Sequence, residues 1–455
     1  MTRLTLVRYA VLAVPLGGLG LAWLAAGRPR RTRRAAGALL LAFLAALVGV
    51  AALDRIAEWA AWWSFEPVRG AFGALPVDAW LGWAVLWGPL PVAVGWSLPR
   101  SRVALPLTVV AWVDLLAMPA LTPLLRVRPG WWTVELAGLV LVAVPAVLLG
   151  AWTAAARRLR LRVVGQLVTF AGLVLWLLPT VAIELGDGSW HALLAAPRWQ
   201  LSLLAQAALL GSAPGLAAVV EFAVRGAGTP YPWDPPGRLV TTGPYAYLAN
   251  PMQFSATGLL LLVAAATRSW SVLAAAVLSV FFSEAVAEQH EREDLRRRYG
   301  AAWLTYRREV RRWLPRWRPA VAGTATLYLD LGCEPCRELA GFFRERRPVG
   351  LVLADARDHP GVLWRVRYER GDGLVADGVA AVARAAEHLD AGFAALGWLI
   401  RVPGVRWLVS RVADGSGLGP RPARYGRRPG EQERRPDGGG HPAAADRRCD
   451  RDGPS

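Results

Sequence analysis

The sequence predicts a mainly α-helical, polytopic membrane protein that ends in a small α/β domain. Hydrophobic residues make up 54% of its 455 residues, Trp occurs 23 times, and the mean hydropathy is +0.31. Several apolar runs reach the roughly 20 residues that a helix needs to cross a bilayer. After Pro315 the apolar runs give way to alternating strand and helix patterns, which predict a separate small domain.

Nine apolar runs are candidate membrane spans, and they predict a transmembrane helical bundle. The runs fall near residues 9–27, 35–53, 80–98, 103–124, 133–155, 163–183, 201–224, 254–267 and 270–287. The first run is long for a secretory signal and lacks a small-residue cleavage site, so we interpret it as a retained span. Asp114 falls near the middle of the fourth run, where a carboxylate is costly, but the sequence assigns it no role.

Arginine distribution predicts the orientation of the bundle. All 52 basic residues are Arg, and 13 of them lie in one set of alternate loops against 8 in the other. Basic residues accumulate on the cytoplasmic side, so the N-terminus is expected outside and everything after the last span in the cytoplasm. We attribute the net charge of +18 to this bias, to lipid contact and to a basic tail, and expect no nucleic-acid partner. The Arg-, Ala- and Gly-rich composition suggests a bacterial inner membrane protein.

The stretch from Gly226 to Pro315 contains the polar residues that most strongly suggest a functional site. A Pro/Gly-rich loop leads to Asn250-Pro251 at the start of an apolar run. Asn is a preferred N-cap and Pro a preferred first helical residue, so we expect a helix whose free N–H groups face the loop. Three glutamates, at positions 284, 288 and 291, share one helix face at the other end of the apolar hairpin. The loop and these acidic residues are therefore expected on the same side of the membrane.

Two motifs in this stretch resemble those of a membrane methyltransferase family. The loop sequence GTPYPWDPPGRLVTTGPYAYLANPMQ is followed, after the hairpin, by E-x-x-x-L-x-x-x-Y-G-x-x-W-x-x-Y-x-x-x-V-x-x-W-L-P. The pair resembles isoprenylcysteine carboxyl methyltransferase and phospholipid N-methyltransferases over about residues 200–316. The resemblance implies S-adenosylmethionine as cofactor and a membrane lipid or lipidated molecule as methyl acceptor.

The resemblance also implies a set of cofactor-binding residues. By position they are Gly237, Arg238, Leu239, Val240, Tyr245, Asn250, Pro251, Met252, Gln253 and Glu291. An aromatic ring can stack on adenine, helix N–H groups can hold a carboxylate, and acidic or aromatic groups favour a sulfonium cation. Methyl transfer is an in-line displacement, so alignment and exclusion of water are the main tasks expected of the protein.

The chain departs from the family pattern at three points. Ala246 and Ala249 stand where the family commonly has arginine, and only Glu291 remains of a frequent glutamate pair. Two interpretations follow: an active methyltransferase, or a degenerate fold retained as a scaffold or lipid-binding module.

The C-terminal domain is predicted from residue 324 onward. Strands are expected at 324–331 and 349–354, a hairpin at 364–368 and 374–376, and helices at 334–346, 379–389 and 394–412, the last broken at Pro403-Gly404. Residues 413–455 have the Gly, Pro, Arg and Asp content of a disordered tail.

Cys333 and Cys336 follow the first of these strands and open the first of these helices. A helix N-terminus lowers a thiol pKa, so Cys333 is predicted to be the nucleophile and Cys336 its resolving partner, acting on a thiol redox partner. The segment 324–412 resembles the thioredoxin-like DCC family of thiol-disulfide oxidoreductases. Two ordinary buried cysteines are the alternative. A zinc site ranks third because the remaining candidate ligands, among them Cys449, match no zinc spacing, and no metal is predicted.

These observations predict four regions. They are N-terminal transmembrane helices (1–132), a methyltransferase-like membrane domain (133–319), a thioredoxin-like CxxC domain (320–412) and a basic tail (413–455). The leading function is methyl transfer to a membrane-embedded acceptor, with an appended redox domain. The alternative is a membrane-tethered thiol-disulfide oxidoreductase whose methyltransferase-like part is not catalytic. The sequence makes no prediction of oligomeric state.

Overall fold

The computed structural model describes residues 2–27, 32–98, 103–231, 233–234, 236–284, 288–320 and 324–420. For residues 282 and 288–291 the description is confined to the backbone. All statements below refer to these parts of the chain.

Helices dominate the structure. They are α1 (Arg3–Ala25), α2 (Arg33–Trp59), α3 (Val77–Trp87), α4 (Pro89–Ser97), α5 (Ala104–Ala120), α6 (Trp131–Gly138), α7 (Val144–Ala154), α8 (Leu159–Gly172), α9 (Leu178–Leu185), α10 (Trp190–Leu194), α11 (Arg198–Gly226), α12 (Pro251–Thr267), α13 (Trp270–Phe282), α14 (Glu288–Glu309), α15 (Glu334–Glu345), α16 (Val379–Ala386), α17 (Ala391–Ile400) and α18 (Pro403–Ala413). One-turn π-helical segments join α6 to α7 and α8 to α9, so each pair forms one long rod.

Short strands complete the fold. They are β1 (Trp63–Phe65), β2 (Ala71–Phe72), β3 (Leu75–Pro76), β4 (Leu125–Val127), β5 (Ala325–Leu329), β6 (Leu351–Asp355), β7 (Arg367–Arg370) and β8 (Val375–Asp377). In the helical part, β1 pairs with β4 and β2 with β3, both antiparallel. The other four strands form one sheet in the C-terminal domain.

Six helical segments among the described residues are long and apolar enough to cross a membrane. They are Arg3–Ala25, Arg33–Trp59, Val77–Ser97, Trp131–Ala154, Leu159–Leu185 and Arg198–Gly226. The other three predicted spans are helical but shorter, because α5, α12 and α13 have 17, 17 and 13 residues. The prediction of a multi-span helical protein is thus confirmed at the level of six segments, and the count of nine stays a prediction.

The N-terminal helices enclose Asp114, which lies 2% exposed on α5. Its carboxylate accepts hydrogen bonds from the indole N–H groups of Trp83 (2.9 Å) and Trp87 (2.6 Å). These bonds satisfy a buried polar group that would otherwise be costly. Asp114 therefore joins the packing of α3 and α5.

Asp187 fixes the turn between α12 and α13 from a loop after α9. Its carboxylate accepts hydrogen bonds from the backbone N–H of Trp270 (3.0 Å) and of Ser271 (2.8 Å), and from the Ser271 hydroxyl (2.7 Å). These hydrogen bonds, the Ser271 hydroxyl foremost, lower the pKa of Asp187 to about 2. A carboxylate at the first turn of α13 also suits the positive end of the helix dipole.

The C-terminal domain is a four-stranded sheet in the order β6-β5-β7-β8, with β5 parallel to β6 and antiparallel to β7. Alternate residues of β5, Ala325, Leu327 and Leu329, are buried and meet Phe343 of α15. The predicted elements all occur, and the hairpin strand β7 begins three residues later than expected. Of the predicted tail, the part to residue 420 is described, and Asp414 pairs with Arg365 at 2.8 Å. Residues 421–455, including Cys449, lie outside the described part.

Candidate active site

The candidate site is the loop that joins α11 to α12, residues 227–250. Ala227 ends α11 in the left-handed conformation, and the loop then doubles back so that the Gly237 N–H donates to the Gly226 carbonyl at 2.8 Å. Gly237 and Arg238 are exposed, and Leu239 is half-buried. These three predicted residues therefore lie at the surface of the loop, open to a ligand.

Asp234 anchors the loop to the N-terminal helices. Its buried carboxylate pairs with Arg34 of α2 and Arg162 of α8, and accepts from the Thr229 hydroxyl at 3.0 Å. A buried carboxylate needs such partners. Tyr231 makes a second contact with α2, because its hydroxyl donates a hydrogen bond to the Gly37 carbonyl at 2.6 Å. The loops that the arginine count places together on one side thus do meet.

A tight turn carries Tyr245 into the protein. Residues Gly243–Ala246 form a single 3₁₀ turn, and Gly243 has φ +61°, where a Cβ would also collide with Glu221. The Tyr245 ring stacks on Phe222, with 5.8 Å between ring centroids, and shares a buried cluster with Val240. Tyr245 and Val240 are brought together as predicted, but in this structure the ring packs inside rather than offering an open face.

The helix predicted at Asn250-Pro251 is confirmed, since Pro251 is the first residue of α12. Asn250 occupies the N-cap position, but its side chain makes no capping hydrogen bond to the helix. Met252 is half-buried beside the Tyr245 cluster. Gln253 turns the other way, where its side-chain oxygen accepts from the hydroxyl of Ser283, the C-cap residue of α13, at 2.8 Å. Pro251, Met252 and Gln253 therefore have structural roles, and the Asn250 side chain does not cap the helix.

The helix α14 folds back over the loop. Tyr299 donates to the Pro236 carbonyl at 2.6 Å, and Tyr306 donates to the Tyr245 carbonyl at 2.9 Å. Burial raises the pKa of both phenols, so they remain donors across the physiological range. Glu291 lies on the same helix, but its side chain falls outside the described residues. Its predicted role thus stays a prediction.

The segment after α14, residues 310–320, runs alongside the 3₁₀ turn of the loop and the residues that follow this turn. Backbone hydrogen bonds of 2.8–2.9 Å connect Ala249 to Arg311, Arg316 to Tyr247, and Ala320 to Ala246. Glu284, the first of the three predicted acidic residues, accepts from Arg312 and from the Trp313 indole. The end of the apolar hairpin and the loop therefore contact the same segment, and their common side of the membrane stays a prediction.

Glu221, which sequence analysis did not select, connects the site to the C-terminal domain. It lies on α11, 1% exposed, and accepts from the Thr242 hydroxyl at 2.9 Å. Its carboxylate also pairs with Arg384 and, at 3.2 Å, with Arg401 of the C-terminal domain. Burial alone would lower the pKa of Arg384, but the neighbouring carboxylates, Glu387 and then Glu221, raise it, so it stays charged. A charge inside an apolar run is the sequence signal that marks Glu221.

Aromatic contacts accompany this ionic junction. Trp398 of α17 packs edge-on against Tyr247, with ring centroids 5.5 Å apart, and Tyr247 donates to the Glu387 carbonyl at 3.0 Å. The loop is therefore enclosed by α11, α14 and the C-terminal domain.

The predicted cysteine pair sits at the start of α15. Cys333 is the N-cap residue, and Cys336 lies one turn into the helix; both are free thiols and half-buried. Burial, followed by the neighbouring Cys333, raises the pKa of Cys336 to about 11. Cys336 thus stays a protonated thiol at neutral pH. Within the described ranges, no group of three or more His, Cys, Asp or Glu residues is arranged to hold a metal ion.

Comparison with known families bears on this loop. Residues 226–302 match the family model of phospholipid methyltransferase. The match covers the loop, α12, α13 and the first two thirds of α14. Neither the curated proteins nor the solved structures contained a match to this chain. The family match supports a membrane methyltransferase type of function, and with the apolar helices it indicates a multi-pass membrane protein.

Proposed function

We propose that this chain is an S-adenosylmethionine-dependent methyltransferase that acts on a membrane-embedded lipid or lipidated acceptor, as isoprenylcysteine carboxyl methyltransferase does. The observation that carries the proposal is the phospholipid methyltransferase match over 226–302, which falls on the loop between α11 and α12. That loop lies at the ends of apolar helices, where a soluble cofactor and a membrane-embedded acceptor can meet.

The residues present fit such a cofactor. Arg238 is an exposed cation, and the first N–H groups of α12 have no side-chain cap, so both suit the carboxylate of a methionine moiety. Gly237 leaves room for close approach to the backbone. When bound, S-adenosylmethionine supplies a methyl group whose carbon–sulfur bond breaks as an electron pair of the acceptor forms the new bond.

The chain's own contribution is to align the reactants and exclude water. Tyr299 and Tyr306 hold the loop under α14, and Asp234 ties it to α2 and α8. Such fixed positioning supplies a large share of the barrier reduction in a displacement reaction. The proton that an O–H, N–H or S–H acceptor loses passes to water or to a nearby carboxylate.

We further propose the cellular arrangement. The protein crosses a bacterial plasma membrane nine times, with α5, α12 and α13 as short spans, its N-terminus outside and the C-terminal domain in the cytoplasm. Contacts of Asp234 with Arg34 and Arg162 support placing these arginine-rich loops on one side. S-adenosylmethionine is cytoplasmic, so this orientation gives it access to the loop.

Calorimetric binding of S-adenosylmethionine to the detergent-purified full chain tests the proposal. We expect micromolar affinity, weakened at least about ten-fold, or 1.4 kcal/mol, by Arg238→Ala, Tyr245→Ala and Glu291→Ala. Glu293→Ala is the matched control, because Glu293 is exposed and pairs with Arg297 one turn away. A well-folded sample that binds no S-adenosylmethionine would refute the methyltransferase function.

A second candidate function rests on Cys333 and Cys336. Cys333 follows β5 and caps α15, and β5 and β6 form a parallel strand–helix–strand unit, which supports a thioredoxin-like interpretation. The Cys333 thiolate would attack a partner disulfide and release one partner thiolate. Cys336 would then attack the mixed disulfide, so the pair becomes oxidised as the partner becomes a dithiol, and an external dithiol restores it.

Reduction of a model peptide disulfide, with dithiothreitol as the external dithiol, tests this second function. Activity should disappear in Cys333→Ser and in Cys336→Ser and persist in Cys449→Ser. If wild-type protein shows no rate above dithiothreitol alone, the C-terminal domain is a structural partner of the helical part.

A further inference from the structure

Seven charged side chains form one network at the junction between the loop and the C-terminal domain. Four are arginines, at positions 225, 370, 384 and 401, and three are carboxylates, Glu221, Asp372 and Glu387. Glu221 pairs with three of the arginines, Glu387 with two, and Asp372 with two. The network therefore carries one positive charge more than its carboxylates balance.

Much of this network is withdrawn from water. The side chains of Glu221, Arg384 and Glu387 are 1%, 9% and 6% exposed, respectively. An uncompensated charge in such surroundings is costly, so the excess calls for a counter-charge.

Arg370 has unused donor capacity among the described residues. Its side chain is 9% exposed, and its Nε donates to Asp372 at 3.2 Å. Its Nη2 is buried and has no hydrogen-bond partner among the described residues. A guanidinium offers donors in a planar fork that matches an oxyanion.

Arg370 lines a small pocket between the two parts of the chain. Thr241, Thr242 and Ala246 of the loop form one wall, and Arg370, Glu387 and His388 form the other. Thr241 adds a second hydroxyl-bearing residue to this lining, whereas the Thr242 hydroxyl already donates to Glu221. The pocket thus lies behind the turn that carries Tyr245.

The other titratable groups of the pocket are already engaged. The two carboxylate oxygens of Glu387 accept from Arg401 and Arg384, respectively. His388 contacts the Val349 carbonyl through Nδ1 at 2.7 Å and the Tyr368 hydroxyl through Nε2 at 2.8 Å, and burial lowers its pKa. A neutral His388 donates from Nδ1 and accepts at Nε2. The free donor of Arg370 is therefore the group left to select a ligand.

We propose that this pocket binds the oxyanionic group, phosphate or carboxylate, of a small ligand, held by Arg370 beside Thr241. One monoanionic group balances the excess positive charge of the network. A cation, by contrast, would be repelled by the Arg370 guanidinium. A bound ligand contacts the loop and the C-terminal domain together, so its occupancy couples the two. The inference does not depend on the methyltransferase function.

The test measures the thermal unfolding midpoint of the full chain in a neutral detergent as the concentration of a probe is raised. The ionic strength is held constant, and sodium chloride is the reference salt. The probes are inorganic phosphate, sodium acetate and dihexanoyl phosphatidic acid, which separate a free oxyanion from a lipid headgroup. We expect saturable stabilisation by at least one probe. Arg370→Gln should weaken the apparent affinity at least ten-fold, and Arg367→Gln, on the same strand but paired with Asp377, should leave it unchanged.

A second variant, in which the probe affinity should rise instead of fall, keeps the test decisive if Arg370→Gln folds poorly. Asp372→Asn removes one carboxylate, so the network gains a second excess positive charge, and the same probe should bind several-fold more tightly. The proposal is overturned if no probe stabilises the protein beyond chloride, if folded Arg370→Gln responds like wild type, or if Asp372→Asn leaves the affinity unchanged or weaker.

Discussion

The hydroxyl of Tyr306 donates a 2.9 Å hydrogen bond to the backbone carbonyl of Tyr245, 61 positions earlier in the chain. This bond fixes the candidate loop from outside the segment that matches the methyltransferase family, which ends at residue 302. The conformation of the loop is therefore set by residues of α14 as well as by its own sequence.

Tyr306→Phe should loosen the turn, because the hydrogen bond from Tyr306 to the Tyr245 carbonyl is lost. A hydrogen bond of this kind contributes about 1 kcal/mol, so amides of residues 241–249 that exchange by local opening should exchange about five-fold faster. Hydrogen–deuterium exchange with mass spectrometry measures this rate. Tyr9→Phe, an exposed tyrosine of α1, is the control. Equal exchange in Tyr306→Phe and wild type would contradict the role assigned to this bond.

Glu221→Gln should release the C-terminal domain from the helical part. The change leaves Arg384 and Arg401 with less counter-charge in a buried site, at a cost of about 3 kcal/mol. Limited trypsin digestion should then cut the connecting segment after Arg316 at least ten-fold faster. The exposed pair Glu293–Arg297 offers a control in Glu293→Gln, which should digest like wild type. Unchanged digestion of Glu221→Gln would rule out an ionic contribution to docking.

Arg162→Leu should destabilise the anchor between the loop and α8. The arginine is 3% exposed and pairs with Asp234, which would be left with Arg34 and Thr229. We expect a loss of about 3 kcal/mol in the free energy of unfolding, seen as a lower thermal midpoint. Arg160→Leu, at an exposed position one half-turn earlier, should change the midpoint little. Similar midpoints for both variants would show that the pair does not hold the loop.

Asp187→Asn should make the stability of the protein vary less with pH in the acid range. The folded-state pKa of Asp187 is depressed to about 2, so its stabilising contribution is present above the ordinary value of 3.8 and is lost as pH falls toward 2. Asp187→Asn should therefore have a lower thermal midpoint than wild type at pH 6, and the difference should shrink between pH 4 and 2. A difference that is constant over this range would contradict the assignment.

Cys336 should alkylate slowly at neutral pH. Its pKa is raised to about 11, so the reactive thiolate becomes appreciable only in strongly alkaline solution. In Cys333→Ser the coupling to Cys333 disappears but burial remains, so half-maximal iodoacetamide labelling of Cys336 should still occur above pH 9. Mass spectrometry distinguishes Cys336 from Cys449. Rapid labelling of Cys336 at pH 7 would overturn this expectation.

The order of the helices could be predicted from the sequence, because the length of an apolar run and the position of a proline affect the structure of neighbouring residues. Asn250-Pro251 marks the start of α12, and the strand–CxxC–helix pattern marks β5 and α15. The three short helices show the limit of this reasoning. An apolar run predicts a helix, whereas its ends depend on turns such as the one that Asp187 fixes between α12 and α13.

The junction was not predictable from local pattern. Glu221 and Arg384 are 163 positions apart, and no periodicity links them. The packing of Tyr245 on Phe222 was also missed, because a motif gives residue identity and not side-chain direction. Only Glu221 carried a usable signal, as a charge in an apolar run.

The ion pairs across the junction also limit how this chain can change over evolution. A C-terminal domain without arginines at positions 384 and 401 could not replace the present one, because Glu221 would stay buried with Arg225 alone among its arginine partners. We therefore expect a substitution on one side to be tolerated only when the other side changes with it. The helical part and the C-terminal domain thus form a matched pair rather than exchangeable modules.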